Sequence, residues 1–336
     1  YEKNKNDYSS FNIYKNSTGD INNDGQCGEG LPWDPSDCLV ESIFGATNGT
    51  KEYIKESFFL GSQLNILKNN ILSLSIRDVN SKNYGNDKVY SIAYMIKGDE
   101  YSYRANHSKG FRIPSIKELY YDFQSHPPPI MGNPNLKPTT NDYYSLSIEK
   151  RNVNTNGSIE VYYNNVIDMI GTNYADSDDN GEDDIIMYNN FNQVDISGLN
   201  FHYELANQKD IIKFVYNYTN PKSDNSSALE LISKHSARIK YSRKIIKDRL
   251  SLFLNTKFSG KKFIMYESEK LYLENYSITD IILSLNLNKN TYINYGIKNL
   301  FNYRDKRRLL EDSYLNNILS TYEPGLRFFI ELKAKI

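Results

Sequence analysis

Apolar side chains return at every second position in one segment of this chain after another. At the C-terminal end, Leu326, Phe328, Ile330, Leu332, Ala334 and Ile336 alternate with Arg327, Glu331, Lys333 and Lys335, and Phe329 alone breaks the rule. Leu72, Leu74 and Ile76 alternate with Ser73, Ser75 and Arg77, and Ile281, Leu283, Leu285 and Leu287 with Ser284, Asn286 and Asn288. Ile212, Phe214, Tyr216 and Tyr218 keep the same spacing. A period of two belongs to a β-strand with one apolar and one polar face.

Read this way, the sequence predicts strands at 8–15, 56–67, 71–80, 87–97, 100–109, 142–153, 158–170, 185–206, 210–219, 233–246, 249–258, 276–287, 291–299 and 322–336, fourteen in all. Tight turns rich in Asn and Gly separate alternate pairs: Lys68-Asn69-Asn70, Gly98-Asp99, Asn154-Thr155-Asn156-Gly157, Ile246-Lys247-Asp248 and Asn288-Lys289-Asn290. Between them lie longer connections at 16–55, 81–86, 110–141, 171–184, 220–232, 259–275 and 300–321. Strict alternation of short and long is the asymmetry of outer-membrane barrels, with short periplasmic turns and longer external loops. A soluble sandwich shares the alternating strands but has no need of that asymmetry. The expected fold is therefore an all-β, antiparallel, up-and-down transmembrane β-barrel of about 14 strands, with no composition break to divide residues 1–336.

Composition changes the picture little. The mean hydropathy of -0.63 and the lack of any apolar run near the about 20 residues of a membrane helix leave a barrel open, because its strands are only half apolar. The 29 Tyr and 15 Phe against one Trp suit the headgroup level, where a ring is buried and a hydroxyl stays wet; biased codon usage is the bland account of part of that excess. With 40 basic and 41 acidic residues, the chain has no electrostatic footprint for nucleic acid. Cys27 and Cys38 fall in one Gly/Asn/Asp-rich loop, which fits a disulfide in an oxidising compartment. The chain begins at Tyr1 without an initiating Met or signal peptide, as expected of a processed or truncated product.

Three motifs then stand in order. Gly110-Phe111-Arg112-Ile113-Pro114-Ser115 with Lys117-Glu118-Leu119-Tyr120, followed by Gly132-Asn133-Pro134-Asn135-Leu136-Lys137-Pro138, resembles the Phe-Arg-Ala-Pro and Asn-Pro-Asn-Leu boxes of TonB-dependent outer-membrane receptors. The stretch Tyr295-Gly296-Ile297-Lys298-Asn299-Leu300-Phe301-Asn302-Tyr303 is similar to that family's penultimate strand and following loop, and Pro324-Gly325-Leu326-Arg327-Phe328-Phe329 to its last strand. The resemblance implies an energised importer: a barrel of about 22 strands, a plug inside it, and an inner-membrane TonB-type partner that pulls on the plug to release a scarce nutrient complex such as a siderophore, haem or cobalamin. No plug is present, so these strands are expected to be the last fourteen of the larger barrel. Ile336 stands where the family usually ends in an aromatic residue.

The prolines at 114, 127–129, 134 and 138 withdraw backbone donors, so 110–141 is expected to be a stiffened loop rather than a ladder strand. Such a loop is a good place for ligand contact, and Arg112, Tyr120, Asn133 and Asn135 are candidates; the alternative is that Phe111, Arg112 and the Asn-Pro turn only order the loop. His126, between the boxes, stands where some haem receptors of the family carry a His, and an imidazole can ligate haem iron. His107 is expected near an outer strand rim; His202 and His235 are expected beside wet-face residues.

Two loops carry an alternating acidic run ending in Gly: Asp20, Asn22, Asp24, Gly25, and Asp176, Asp178, Asn180, Gly181 followed by Asp183 and Asp184. Such spacing lets alternate oxygens converge on calcium. Leu31 and Met187 stand where a helix-loop-helix site has its Glu, so neighbours such as Glu29, Asp34 or Asp184 would have to finish either site; a solvated acidic rim is the alternative.

No Gly-x-Ser-x-Gly elbow, His-Glu-x-x-His, phosphate loop or zinc spacing occurs, so bond chemistry is not expected and no cofactor is required. The sequence reads as an outer-membrane receptor for energy-dependent nutrient uptake. Apolar faces would lie in lipid, Ser, Asn, Glu and Lys in the lumen, and residues 16–55, 110–141, 171–184 and 300–321 would form a ligand vestibule. A passive porin-like channel and a secreted β-rich binding module are the rival classes.

Overall fold

In the computed structural model, which describes residues 2–8, 51–123, 128–178, 180–181, 184–266, 269–304 and 325–334, the alternating runs zip into one antiparallel sheet. Its strands are β1 (Glu2–Tyr8), β2 (Lys51–Leu67), β3 (Asn70–Ser81), β4 (Gly85–Lys97), β5 (Tyr101–Arg112), β8 (Thr139–Arg151), β9 (Thr155–Ala175), β10 (Ile185–Ala206), β11 (Asp210–Lys222), β12 (His235–Ile246), β13 (Leu250–Ser259), β16 (Tyr276–Asn286), β17 (Thr291–Lys298) and β18 (Arg327–Ala334). Each pairs with the next in that order, the up-and-down topology expected. Among the described residues β1 and β18 pair on one side only, so the sheet is an open arc of a barrel.

Smaller elements ornament the long-connection end. A short helix α1 (Ile116–Tyr120) and the two-residue strands β6 (Asp122–Phe123) and β7 (Ile130–Met131) lie between β5 and β8. A 3-10 turn (Ser226–Leu229) lies between β11 and β12, and a separate hairpin of β14 (Lys262–Tyr266) and β15 (Glu269–Leu273) between β13 and β16.

Exposure separates the barrel from the sandwich. Leu60, Leu146, Phe328, Ile330 and Leu332 are 61, 61, 73, 74 and 65% exposed, and the register puts such residues side by side: Leu60 faces Ile76, Leu146 faces Val161, and Ile330 faces Tyr295. Two stacked sheets would bury these residues against each other. A continuous apolar face left bare is instead the surface that hydrocarbon covers. The opposite face carries Ser73, Ser75 and Arg77, then Ser145, Ser147 and Glu149, then Glu160, Asn164, Asn200 and Glu204, a polar lumen of the expected kind.

Phe329 explains itself here. It lies on the lumen face opposite Gly296, and a Cβ on that glycine would collide with the Phe329 ring. The missing side chain makes the seat for the ring, an arrangement that compensates a strand glycine. Lys298 Nζ lies 5.2 Å from the same ring centroid.

Several boundaries differ from those expected. The first strand is Glu2–Tyr8 rather than 8–15, and the rest of that run lies outside the described residues. Residues 110–141 are not one loop: β5 continues through Arg112 and β8 begins at Thr139, because no proline removes a ladder donor until Pro114 or after Pro138. The connection 259–275 holds the β14–β15 hairpin, where Phe263 packs against Tyr272 at 6.2 Å and Ile264 and Leu273 are buried. Parts of 171–184 and 220–232 are strand, since β9 runs to Ala175 and β11 to Lys222.

Candidate functional site

The proline-rich segment 113–138 is built as a braced platform. Ser115 caps α1: its hydroxyl accepts from Glu118 N at 3.2 Å while Glu118 Oε2 accepts from Ser115 N at 2.7 Å, a reciprocal capping box. Arg112 Nη1 then donates to both Glu118 oxygens at 3.0 and 2.9 Å. Burial pushes the Glu118 carboxyl up, but the donors from Arg112 and Ser115 outweigh it and hold it below the usual carboxylate range. Ile113, Ile116, Leu119 and Leu136 of this segment are buried.

The Asn-Pro-Asn-Leu box closes onto the helix end. Gly132 N donates to Tyr121 O at 2.6 Å and Asn133 N to Glu118 O at 2.9 Å. A Cβ on Gly132 would come within 2.6 Å of the Tyr120 and Tyr121 amide nitrogens, so only glycine permits the approach. Asn133 Oδ1 accepts from Asn135 N at 2.9 Å, a local turn, and Asn133 Nδ2 reaches Asn189 on β10 at 3.3 Å. Lys137 N donates to Asn190 Oδ1 at 2.8 Å, and Asn190 Nδ2 donates to the carbonyls of Lys137 and Asp168 at 3.0 and 2.9 Å. Asp168 holds a left-handed φ of 52°. Pro129 O accepts from Ile186 N at 2.8 Å, beside the parallel pairing of β7 with β10.

The structure thus gathers Arg112, Tyr120, Asn133 and Asn135 into one platform, and engages Arg112 and Asn133 in ordering it. His126 lies outside the described residues, as do Asp20, Asn22, Asp24, Cys27 and Cys38. The capping box was written in the sequence as Ser115-x-x-Glu118, the signal that could have located α1.

At the β9–β10 tip, Asp176 turns its carboxylate inward. Its Oδ2 accepts from Gly181 N at 2.6 Å and its Oδ1 from the amides of Asp178 and Asn180 at 3.2 and 3.3 Å. Those amides, Gly181 first, hold the Asp176 carboxyl below its usual range. Asp184 accepts from the Ser177 hydroxyl and amide at 2.5 and 2.8 Å, which lowers its carboxyl likewise. Among the described residues no three His, Cys, Asp or Glu side chains gather as metal ligands. The alternating acids here make nested turns.

An aromatic belt on the outward face marks the membrane boundary. Tyr90 meets His107 edge-on at 5.4 Å, His107 stacks on Tyr144 at 4.3 Å, and Tyr144 stacks on Tyr163 at 6.5 Å, crossing β4, β5, β8 and β9. Further round, Tyr216 OH lies 2.8 Å from His235 Nδ1. His107 therefore sits at the outer rim as expected and His202 on the lumen side, but His235 belongs to the outward belt, because its register places it opposite Tyr218. At the level of the belt and above it the outward face turns polar: Asp142 lies 3.2 Å from His107, and Asp195 accepts from Asn165 at 2.7 Å. From Asp195 down to Ala206, at about 3.3 Å per residue and a tilt of about 45°, the strand spans roughly 26 Å, the height of a barrel's apolar band. With 21 and 22 residues, β9 and β10 rise well beyond that depth and carry the platform with them.

An arc of up-and-down strands with a bare apolar band, an aromatic belt, a polar lumen and long connections at one end is an outer-membrane β-barrel. More narrowly, the sequence model described as "TonB dependent receptor-like, beta-barrel" matches residues 2–300, and the chain belongs to that family. The vitamin B12 transporter BtuB of Photobacterium profundum is 25% identical over 242 residues, 71% of this chain and 38% of that protein. Among solved structures, the siderophore receptor PirA from Acinetobacter baumannii superimposes with a TM-score of 0.68 at 17% identity, over 85% of this chain and 46% of that one. A mutant of the ferric enterobactin receptor PfeA from Pseudomonas aeruginosa, solved with enterobactin, gives 0.69 at 18%, over 88 and 47%. The copper transporter OprC gives 0.65 at 13%, over 84 and 48%. The chain spans less than half the length of these relatives. By their names these relatives are receptors and transporters.

Proposed function

We propose that this barrel is the C-terminal part of a receptor that takes up a scarce nutrient complex across the outer membrane at the expense of energy supplied by a TonB-type partner acting on a plug encoded upstream. The observation that carries the reading is that the long connections, with the braced platform 113–138 among them, gather at one end of a barrel belonging to a receptor family. The cargo would be an iron–siderophore, haem or cobalamin, bound first by the external connections. The vitamin B12 and siderophore named for the relatives support cobalamin and iron–siderophore within that range.

The test uses the full-length protein in cells lacking their own uptake systems, given labelled cyanocobalamin, ferric siderophores or haemin with and without a protonophore. Uptake of one class that stops when the proton gradient collapses supports the reading. Unenergised leakage of small sugars would make the barrel a passive channel instead. Haem as the cargo would rest on His126 and predicts an imidazole-ligated spectrum lost in His126→Ala. A Cys27–Cys38 disulfide and calcium ordering of the acidic loops belong to the same proposal; mass shift on reduction and a calcium titration read them.

A further inference from the structure

Four cations converge on the lumen face of β11, β12 and β13. Lys213, Arg238, Lys240 and Lys257 line a recess of ≈ 340 Å³, with His202 of β10 at its edge. Their heights fall between the Tyr216–His235 belt and the short turns below, within the membrane. The register makes the arrangement costly: Lys213 stands directly opposite Lys240, and Arg238 directly opposite Lys257, and like charges in directly opposed positions repel. Lys213 is offset by Glu204 at 3.1 Å. Among the described residues, Arg238, Lys240 and Lys257 have no carboxylate at ion-pair distance. The chain as a whole is balanced, with 40 basic and 41 acidic residues, so this is local segregation of charge. Like charges gathered on the wall of a pore favour ions of the opposite sign.

We infer that this recess binds a small polyanion, and that the cargo crosses the lumen in anionic form. The inference deepens the uptake reading and rests on it only for the word cargo, since the recess itself follows from register and charge. A recess of this volume suits a small ligand. Guanidinium and ammonium groups on three adjacent strands would surround phosphate, carboxylate or catecholate oxygens from one side, and the bound charge would relieve both like-charge pairs.

The test is thermal unfolding of the full-length protein in detergent. Inorganic pyrophosphate, and separately an anionic ferric tris-catecholate, should raise the unfolding midpoint by roughly 2–4 °C at low salt, and the rise should fade in high salt. The variant Arg238→Gln/Lys240→Gln/Lys257→Gln should lose both responses and be no less stable than the parent without ligand, because it loses only repulsion. An uncharged ferric tris-hydroxamate should give no shift at this recess in either protein. An equal rise in the variant, or no rise in the parent, overturns the site. A variant that unfolds earlier with no ligand present overturns it too, since the cations would then be neutralised by an acidic segment of the protein itself. A response to pyrophosphate alone overturns the assignment to the cargo. These are equilibrium readings, so failure of energised uptake would leave them intact and be recognised separately.

Discussion

Glu118 ties together three things that the sequence presents separately: the end of β5 through Arg112, the start of α1 through Ser115, and the Asn-Pro-Asn-Leu turn through its carbonyl. Glu118→Gln should cost about 1 kcal/mol of local stability, seen as faster amide exchange across 113–138 with the strands unchanged. The carboxyl's folded-state value is depressed, so its contribution is complete above the ordinary carboxylate range and disappears as pH falls through the lowered value. Exchange protection of the platform should therefore hold at neutral pH and decline only in acid; protection that weakened as pH rose would contradict the assignment. At the other end of the chain, Gly296→Ala drives a methyl into the Phe329 ring and should lower stability by roughly 1–3 kcal/mol. In a Phe329→Ala background the same substitution should cost much less, and a double-mutant cycle on thermal unfolding reads the difference.

At the scale of the element, the alternation of apolar residues was enough for most strands of the sheet, but not for β1, whose Glu2–Tyr8 carries no apolar alternation. The run 185–206 was legible to the residue, because Ile185 follows an acidic turn and Ala206 precedes a tight one. It failed where another signal competed. Prolines made 110–141 read as loop although Ser115 and Glu118 spelled a helix start, and the β14–β15 hairpin stood apart from the barrel rhythm. Phe329 looked like a lapse in pattern until the register placed Gly296 beneath it. The cation recess was hidden for the same reason: Lys213, Arg238, Lys240 and Lys257 are ordinary wet-face residues in sequence, and only cross-strand pairing brings them together. The belt makes a direct expectation. Nitroxides at Leu146 and Ile330 should be reached by oxygen dissolved in lipid, and one at Asp142 by a water-soluble nickel chelate; the reverse order would put the boundary elsewhere.

For the whole molecule, the two-ended asymmetry fixes an orientation. Short turns lie at one end, and the platform, the acidic tip of β9–β10 and the β14–β15 hairpin at the other. A peptide epitope inserted at residues 178–181 should be stained by antibody on intact cells, whereas the same insertion in the turn 207–209 should be stained only after the envelope is opened. Equal staining at both places would contradict the orientation.

The height of the β9–β10 pair has a practical corollary. Whatever approaches the bacterium from the medium, whether a phage fibre, an antibody or a bulky conjugated antibiotic, can touch this tip without entering the pore, because strands of 21 and 22 residues lift it above the hydrocarbon band. Asp176 turns its charge onto the tip's own amides, so a visitor finds that carboxylate already engaged by backbone. Vaccine or capture reagents raised against the folded tip should then bind the native cell.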